Sequence, residues 1–337
     1  MWVVTARPII LALVLTATIA GCTSAPRTAP TTTASPTTAA SPTTAASPTT
    51  TASPTTTASP TTTAPHEVPD HLVTADGRTR TFVVHVPDPL PAGPLPLVVA
   101  LHGGTGSAAQ FQRTSGFDAL ADQRGFVVVY PDGVGSGTDE AALRTWNAGL
   151  CCGPAATKQV DDVGFVRSLV DLMEATFDID PGAVFATGHS NGGFMSDRLA
   201  CELADRIVAV GFQSGGLTVP TCTPSRPVSV LHIHGAADQN VRVEGGVGSQ
   251  GISHIDFPPL ADSMRTMSAA MGCAPDPTSR TAGIATNSTW AGCDGGVTVQ
   301  LVLVDGRAHK WMSGPDFDSA STIVDFLLGH RRATASQ

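Results

Sequence analysis

The sequence predicts an α/β fold built on a doubly wound, mostly parallel sheet. Residues 95–101 and 126–130 are continuous apolar runs, as expected of strands buried on both faces of a parallel sheet. Helical periodicity follows at residues 163–177, where apolar side chains recur on one side. Strands that alternate with helices are typical of a doubly wound sheet. Further strands are predicted at 183–187, 207–213, 228–234 and 297–304, and further helices at 192–203, 260–271 and 319–329.

An antiparallel hairpin is predicted ahead of this sheet, over residues 71–87. The turn pair Asp76-Gly77 separates a short apolar segment from the alternating run 81–86. Two such runs joined by a turn of this kind indicate a β-hairpin.

The N-terminus has the pattern of an export signal over residues 1–21. Arg7 precedes an apolar run at 9–20, which is too short to span a bilayer. The segment Ile19-Ala20-Gly21-Cys22 resembles a bacterial lipobox, whose cysteine becomes the lipidated first residue. We therefore expect a lipid anchor at Cys22 and a position on the extracellular face of a bacterial membrane. The alternative is an ordinary signal peptide, with secretion.

Residues 22–65 are predicted to form a disordered stalk. After Cys22 this segment repeats threonine, alanine, serine and proline with almost no charge, so it cannot bury a core. Its proline content favours extended conformations and suits a spacer. The predicted folded domain is then residues 66–332.

Charge and cysteine content exclude some classes of function. The chain carries 28 acidic and 19 basic residues, a net charge of −9, which would repel a nucleic acid. Seven cysteines indicate an oxidising compartment. Metal binding is the alternative, but no CxxC pair is present. Besides Cys22, six cysteines are expected to form disulfides, of which we predict only the pair Cys273–Cys293: Cys151, Cys152, Cys201, Cys222, Cys273 and Cys293.

Ser190 is the predicted nucleophile. It lies in Gly188-His189-Ser190-Asn191-Gly192, between the strand predicted at 183–187 and the helix predicted at 192–203. A nucleophile elbow needs small residues two before and two after the serine, because its strained turn brings strand and helix close together. The alternative is a glycine-rich packing turn with an inert serine.

His309 is the predicted general base, because it follows the strand at 297–304 at the carboxyl-end rim of the sheet. His330 lies in an arginine-rich tail and is expected to be solvated. His232 and His234 fall inside an apolar strand, where buried structural roles are expected.

Asp238 is the predicted acid, because it follows the strand at 228–234 at the same rim. Asp256 has no strand before it, and Asp305 ends the strand that leads to His309, so both are less suitable. Asp238 would accept the Nδ1 proton of His309 and hold the ring in the productive tautomer.

Two backbone N–H groups are predicted to form an oxyanion hole. One belongs to Asn191, which follows the nucleophile. The other comes from the glycine-rich turn after the strand at 95–101, where Gly104 is the preferred donor and Thr105 the second.

Five segments of the chain form a specific set of motifs: Leu101-His102-Gly103-Gly104, Trp146-Asn147-Ala148, Cys151-Cys152-Gly153, Asp161-Asp162-Val163-Gly164-Phe165 and Gly188-His189-Ser190-Asn191-Gly192. Together they resemble the polyhydroxybutyrate depolymerase and feruloyl esterase family, including its lipoprotein members. The resemblance covers about residues 70–330 and implies an α/β-hydrolase fold, the triad Ser190, Asp238 and His309, and activity on esters of extracellular polymers. Where the family often carries Gly-Gly-His-x-Trp-Pro, this chain has Gly-Arg-Ala-His-Lys-Trp-Met at 306–312.

Four other side chains allow two interpretations each. Asp161 and Asp162 could suggest a metal site, but acids at this place are more typical of a helix N-terminus. Trp146 and Trp311 could line a substrate pocket or pack in the core.

The sequence thus predicts a serine esterase that works through an acyl-enzyme and needs no metal ion or organic cofactor. Its expected partner is an ester substrate, polymeric or with a short or aromatic acyl group, and it would meet the membrane only through the lipid anchor. A catalytically inactive surface-binding lipoprotein and a serine peptidase are the alternatives.

Overall fold

A ten-stranded sheet forms the centre of the fold, and the computed structural model describes it within residues 68–136, 142–251 and 253–332. The predicted export signal, Cys22 and the stalk lie outside the described residues. In the described part, no helix is both long and apolar enough to cross a membrane. The elements are β1 (His71–Val73), β2 (Thr79–His85), β3 (Leu95–Leu101), α1 (Ala108–Ser115), α2 (Phe117–Arg124), β4 (Val127–Pro131), α3 (Gly153–Thr157), α4 (Asp162–Thr176), β5 (Ile179–His189), α5 (Asn191–Glu202), β6 (Ala209–Gln213), β7 (Ser229–Gly235), β8 (Gly246–Val247), β9 (Asp256–Phe257), α6 (Leu260–Ala270), β10 (Thr278–Ala282), β11 (Ala285–Trp290), β12 (Val299–Val304) and α7 (Ser319–Gly329).

The sheet is parallel at its centre and antiparallel at both ends. Its strand order is β1-β2-β4-β3-β5-β6-β7-β12-β11-β10, and neighbours from β4 to β12 run parallel. The hairpin β1–β2 pairs antiparallel with β4, and β11 and β10 close the other end. The α/β fold, the mostly parallel sheet and the N-terminal hairpin are therefore confirmed.

Helices cover both faces of the sheet. On β3, Leu97 and Val99 pack in one apolar cluster with residues of α4, α5 and α6. Val98 and Ala100 point the other way and pack in a second cluster with residues of α1, α2 and α7. Alternate side chains of one strand therefore enter two cores, which is why the strand is apolar throughout.

The hairpin β10–β11 was not predicted from the sequence. All five residues of β10 are exposed, and most of β11 is only half-buried. Such strands have no apolar run to reveal them, and they form because β11 pairs with the edge of β12.

The six cysteines of the described part form three disulfides. The predicted pair Cys273–Cys293 is present. Cys201 pairs with Cys222, and the neighbours Cys151 and Cys152 pair with each other. None of the described histidine, cysteine and carboxylate side chains forms a group of three or more that could hold a metal ion.

Candidate active site

Ser190 occupies a strained turn between β5 and α5. Its φ is 53° and its ψ is −120°, a conformation that residues other than glycine rarely adopt. A Cβ atom at Gly188 would lie 2.4 Å from the carbonyl carbon of Gly192, and one at Gly192 would lie 2.2 Å from the carbonyl oxygen of Leu101. Steric contact therefore demands glycine at both positions of the motif.

Ser190, His309 and Asp238 form one chain of hydrogen bonds. The Ser190 Oγ atom lies 2.8 Å from His309 Nε2, and His309 Nδ1 lies 2.7 Å from Asp238 Oδ2. His309 follows β12 and Asp238 follows β7, two adjacent parallel strands, so both reach the same rim as the elbow. Ser190 and His309, which are 119 positions apart in the sequence, are thereby brought into contact.

The environment of Asp238 favours its charged form. The backbone N–H groups of Asn240 and Val241 both donate to Oδ1 at 2.9 Å, which leaves Oδ2 for His309. Burial by itself would raise the pKa of Asp238, but the hydrogen bond and charge of His309 and the Val241 N–H outweigh it, so the pKa lies below its ordinary value. An ionised Asp238 accepts from Nδ1, and His309 Nε2 can then accept the Ser190 proton.

His234 supports the turn that carries the acid. Its Nε2 atom lies 2.8 Å from the carbonyl oxygen of Val241, and His232 Nε2 lies 3.0 Å from its Nδ1. Burial lowers the pKa of both imidazoles, so both are neutral. A structural role was expected for His232 and His234. The structure adds that they support the turn that carries Asp238, which the sequence alone did not suggest. The remaining candidate, His330, follows α7 and is half-buried rather than solvated as expected, because its ring packs on Phe326 and its Nδ1 atom lies 2.7 Å from the Phe326 carbonyl oxygen.

The two alternative acids lie elsewhere. Asp256 belongs to β9 and lines a neighbouring groove, while Asp305 follows β12 and donates its backbone N–H to Ile284.

Gly104 and Asn191 face each other beside the Ser190 hydroxyl. Both line the same cavity as Ser190, and a Cβ atom at Gly104 would lie 3.7 Å from the Asn191 Cβ atom. The Thr105 N–H donates to the Arg144 carbonyl at 2.8 Å and is therefore occupied. Within the described residues, the N–H groups of Gly104 and Asn191 have no acceptor. This difference favours Gly104 over Thr105 as the second donor.

Trp146 is fully buried and does not line the Ser190 cavity. Its indole N–H donates to the His102 carbonyl at 2.9 Å, and its backbone bonds to the Asn191 side chain. Trp311 donates its indole N–H to the Ser115 carbonyl at 3.0 Å and packs edge-on against Phe111. Trp146 therefore packs in the core, whereas Trp311 is half-buried and lines a separate cavity of about 240 Å³. Neither tryptophan lines the cavity that contains Ser190.

Asp161 and Asp162 have separate tasks at the start of α4. Asp161 caps the helix by accepting the Gly164 N–H at 2.8 Å, as predicted for this position. Asp162 is fully buried, pairs with Arg80 at 2.8 Å and accepts the Asn147 N–H at 2.8 Å. It therefore ties β2 to the loop after β4.

A cavity of about 390 Å³ opens over the Ser190 hydroxyl. Besides Ser190, His309, Gly104 and Asn191, its lining contains both polar and apolar side chains. The other polar ones are those of Thr105, Thr145, His189, Asn240 and Ser253. The apolar walls are formed by Leu143, Pro154, Phe194, Val241 and Phe257.

His189 is a cavity residue that the sequence analysis passed over. Its ring lies 5.2 Å from the His309 ring, and its Nε2 atom is buried without a partner. Burial, followed by the nearby His309, lowers the pKa of His189 to about 3, so it is neutral at physiological pH. The sequence feature that could have identified His189 is its position directly before Ser190.

A family profile and two relatives named as esterases match this chain. The profile of the family described as esterase PHB depolymerase matches residues 81–242, which include Ser190 and Asp238 but not His309. NocK of Nocardia uniformis subsp. tsuyamanensis, named as an esterase, is 32% identical over 76% of this chain and 81% of its own length. Feruloyl esterase B of Piromyces equi is 31% identical over 64% of this chain, which spans only 39% of that protein.

A solved structure shares the fold at low sequence identity. An acetyl xylan esterase from Aspergillus awamori superposes with a TM-score of 0.55 at 16% identity, over 78% of this chain and 97% of that one. At this identity the likeness concerns the α/β-hydrolase fold alone.

Proposed function

The chain belongs to the esterase PHB depolymerase family, and we propose that it is a serine esterase that hydrolyses carboxylic esters of extracellular polymers. One observation carries the proposal: the His309 ring bridges the Asp238 carboxylate and the Ser190 hydroxyl at 2.7 Å and 2.8 Å. Nucleophile, base and orienting acid at these distances are the parts that acyl transfer requires.

Hydrolysis would begin with attack by the Ser190 Oγ atom on the ester carbonyl carbon. His309 Nε2 takes the Ser190 proton as the new bond forms, and Asp238 stabilises the imidazolium. The Gly104 and Asn191 N–H groups would bind the negatively charged oxygen of the tetrahedral intermediate.

Collapse of that intermediate expels the alcohol, which leaves with the proton held by His309, and an acyl-enzyme remains on Ser190. A water molecule then attacks the acyl carbon while His309 accepts its proton. A second collapse releases the carboxylic acid and returns the proton to Ser190.

The proposed setting is the outside of a bacterial cell. In this proposal residues 1–21 direct export, Cys22 carries the lipid anchor, and the stalk holds the domain of residues 66–332 away from the membrane. The family description and the names of sequence relatives suggest two substrate classes, polyhydroxyalkanoates and feruloylated or acetylated polysaccharides. The apolar cavity suits a short or aromatic acyl group of either class.

The test combines chemical labelling with a substrate panel. Purified protein is treated with a fluorescent organophosphonate, and the labelled peptide is identified by mass spectrometry, with Ser190→Ala as the matched control. Initial rates are measured on p-nitrophenyl butyrate, methyl ferulate and an olive-oil emulsion. We expect one label, on Ser190, and faster turnover of the soluble esters. Labelling elsewhere, or faster turnover of the emulsion than of both soluble esters, would contradict the proposal.

A further inference from the structure

Phe257 forms part of the wall of three neighbouring cavities. It lines the cavity over Ser190 and also a second, larger groove of about 840 Å³. It further borders a small void of about 10 Å³ together with Phe194. Among the described residues, Phe257 is the one that lines both the cavity and the groove.

The position of the Phe257 ring is held from several sides. The ring is 4% exposed and stacks on Phe194 with centroids 4.8 Å apart and an angle of 14° between planes. Phe257 pairs with Gly246 in the β8–β9 hairpin, and two prolines follow it. A ring packed in this way is expected to act as a fixed wall rather than as a freely moving side chain.

The groove beyond this wall could receive a further part of a substrate. Its lining combines an apolar side, with Leu150, Leu217, Val219 and Pro220, and three carboxylates, Glu244, Asp256 and Asp262. The loop that carries Gly149 and Leu150 to the groove also carries Cys152 and Gly153 to the cavity. Cavity and groove are thus built from the same loop and the same hairpin.

We propose that Phe257 is a specificity-determining residue, whose ring limits the length of the ester arm that extends towards the groove. This inference rests on the proposed esterase function. With phenylalanine in place, an arm on that side must end within the cavity of about 390 Å³. Without the ring, the arm could continue along the apolar side of the groove, at Leu150, Leu217 and Val219, and bury additional methylene groups there.

The experiment uses the full-length protein with Phe257→Ala and the milder Phe257→Leu. Phe326→Ala is the matched control, because Phe326 on α7 is similarly buried, at 7% exposure, and lines neither the cavity nor the groove. kcat/KM is measured on p-nitrophenyl esters from acetate to dodecanoate, which vary the acyl arm, and on alkyl acetates from methyl to decyl, which vary the alcohol arm. Thermal unfolding of each variant reports on folding.

We expect Phe257→Ala to raise the ratio of kcat/KM for the decyl-length over the butyl-length ester by at least about tenfold in one of the two series. The estimate follows from a gain of about fourfold for each additional buried methylene. Phe257→Leu should give a smaller rise in the same series, and Phe326→Ala should leave both ratios unchanged. The series that responds identifies which arm faces Phe257.

Two results would overturn the inference. One is an unchanged length ratio in both series for whichever Phe257 variant folds, and the other is the same ratio change in Phe326→Ala. In either case wild-type turnover and Ser190 labelling would leave the esterase function standing. A wild-type protein that hydrolyses no ester and takes no label would contradict both proposals.

Discussion

The Asn191 side chain forms two hydrogen bonds with the backbone of Trp146. Its Oδ1 atom accepts the Trp146 N–H at 2.7 Å, and its Nδ2 atom donates to the Trp146 carbonyl at 3.0 Å. Trp146 in turn bonds to His102, one of the residues before Gly104. One buried amide and one indole therefore connect the two backbone segments that present the proposed oxyanion donors.

Asn191→Ala should lower kcat by about 10- to 100-fold with little change in KM. The alanine keeps its own backbone N–H, so the loss would come from displacement of that donor relative to the reacting oxygen. It also leaves the buried Trp146 N–H without an acceptor, which should destabilise the fold by about 1–3 kcal/mol, whereas the Trp146 carbonyl keeps the Cys152 N–H at 3.1 Å. Steady-state kinetics and thermal unfolding measure the two effects.

Asn287→Ala serves as the control, because Asn287 lies on β11, away from the cavity. Wild-type kcat in Asn191→Ala would show that the Trp146 contact does not position the donor.

Ser190→Ala should leave the protein folded and reduce kcat by about 10⁴-fold or more. His309→Ala and Asp238→Asn should each reduce turnover severely, since an amide at position 238 cannot hold the ring in the same tautomer. Adding Ser190→Ala to either variant should cost little more, because the three groups act as a unit. Circular dichroism controls for folding, and full activity in Asp238→Asn would transfer the acid role to another carboxylate.

Asp197 should make the protein less stable as the pH rises. It is 3% exposed on α5, and its Oδ1 atom has no hydrogen-bond partner. Burial raises the pKa of this carboxyl to about 8, from 3.8 when it is exposed. Folding therefore favours the protonated form, whose stabilising contribution is complete below about pH 4 and is lost as the pH rises towards 8.

Asp197→Asn should remove this dependence, because the amide does not ionise. Relative to wild type, the variant should gain stability between pH 5 and pH 8, by up to about 1.4 kcal/mol per pH unit. Urea unfolding at a series of pH values measures the difference, and Asp325→Asn on the exposed side of α7 is the control. Parallel stability curves for wild type and Asp197→Asn would refute the assignment.

Cys22→Ala should release the protein from the membrane. If the lipobox is processed as proposed, the mature protein partitions with membranes and the variant appears in the medium. Fractionation followed by immunoblotting measures this. Deletion of residues 23–65 should leave the kinetics on soluble esters unchanged, because a spacer contributes no active-site contact. Recovery of the wild-type protein in the cytoplasm would contradict the export signal.

The parts of the fold that the sequence determined are those with a local signature. The run 95–101 is apolar throughout because its side chains enter two cores, and it forms β3 with the same limits. The glycines around Ser190 are required by contacts within one strand–turn–helix unit. The positions of His309 and Asp238 could be inferred because parallel strands end at one rim.

Only the tertiary structure decided which groups meet across the chain. Gly104 and Thr105 are neighbours in the sequence, but their N–H groups differ in the fold. The Thr105 N–H donates to the Arg144 carbonyl, whereas the Gly104 N–H does not. The sequence could not assign Trp146 to the core or to a pocket, because a large apolar side chain suits either environment. The sequence did not single out Phe257, because an isolated phenylalanine in an irregular segment shows no periodicity. Its position between the Phe194 ring, the cavity and the groove depends on tertiary packing.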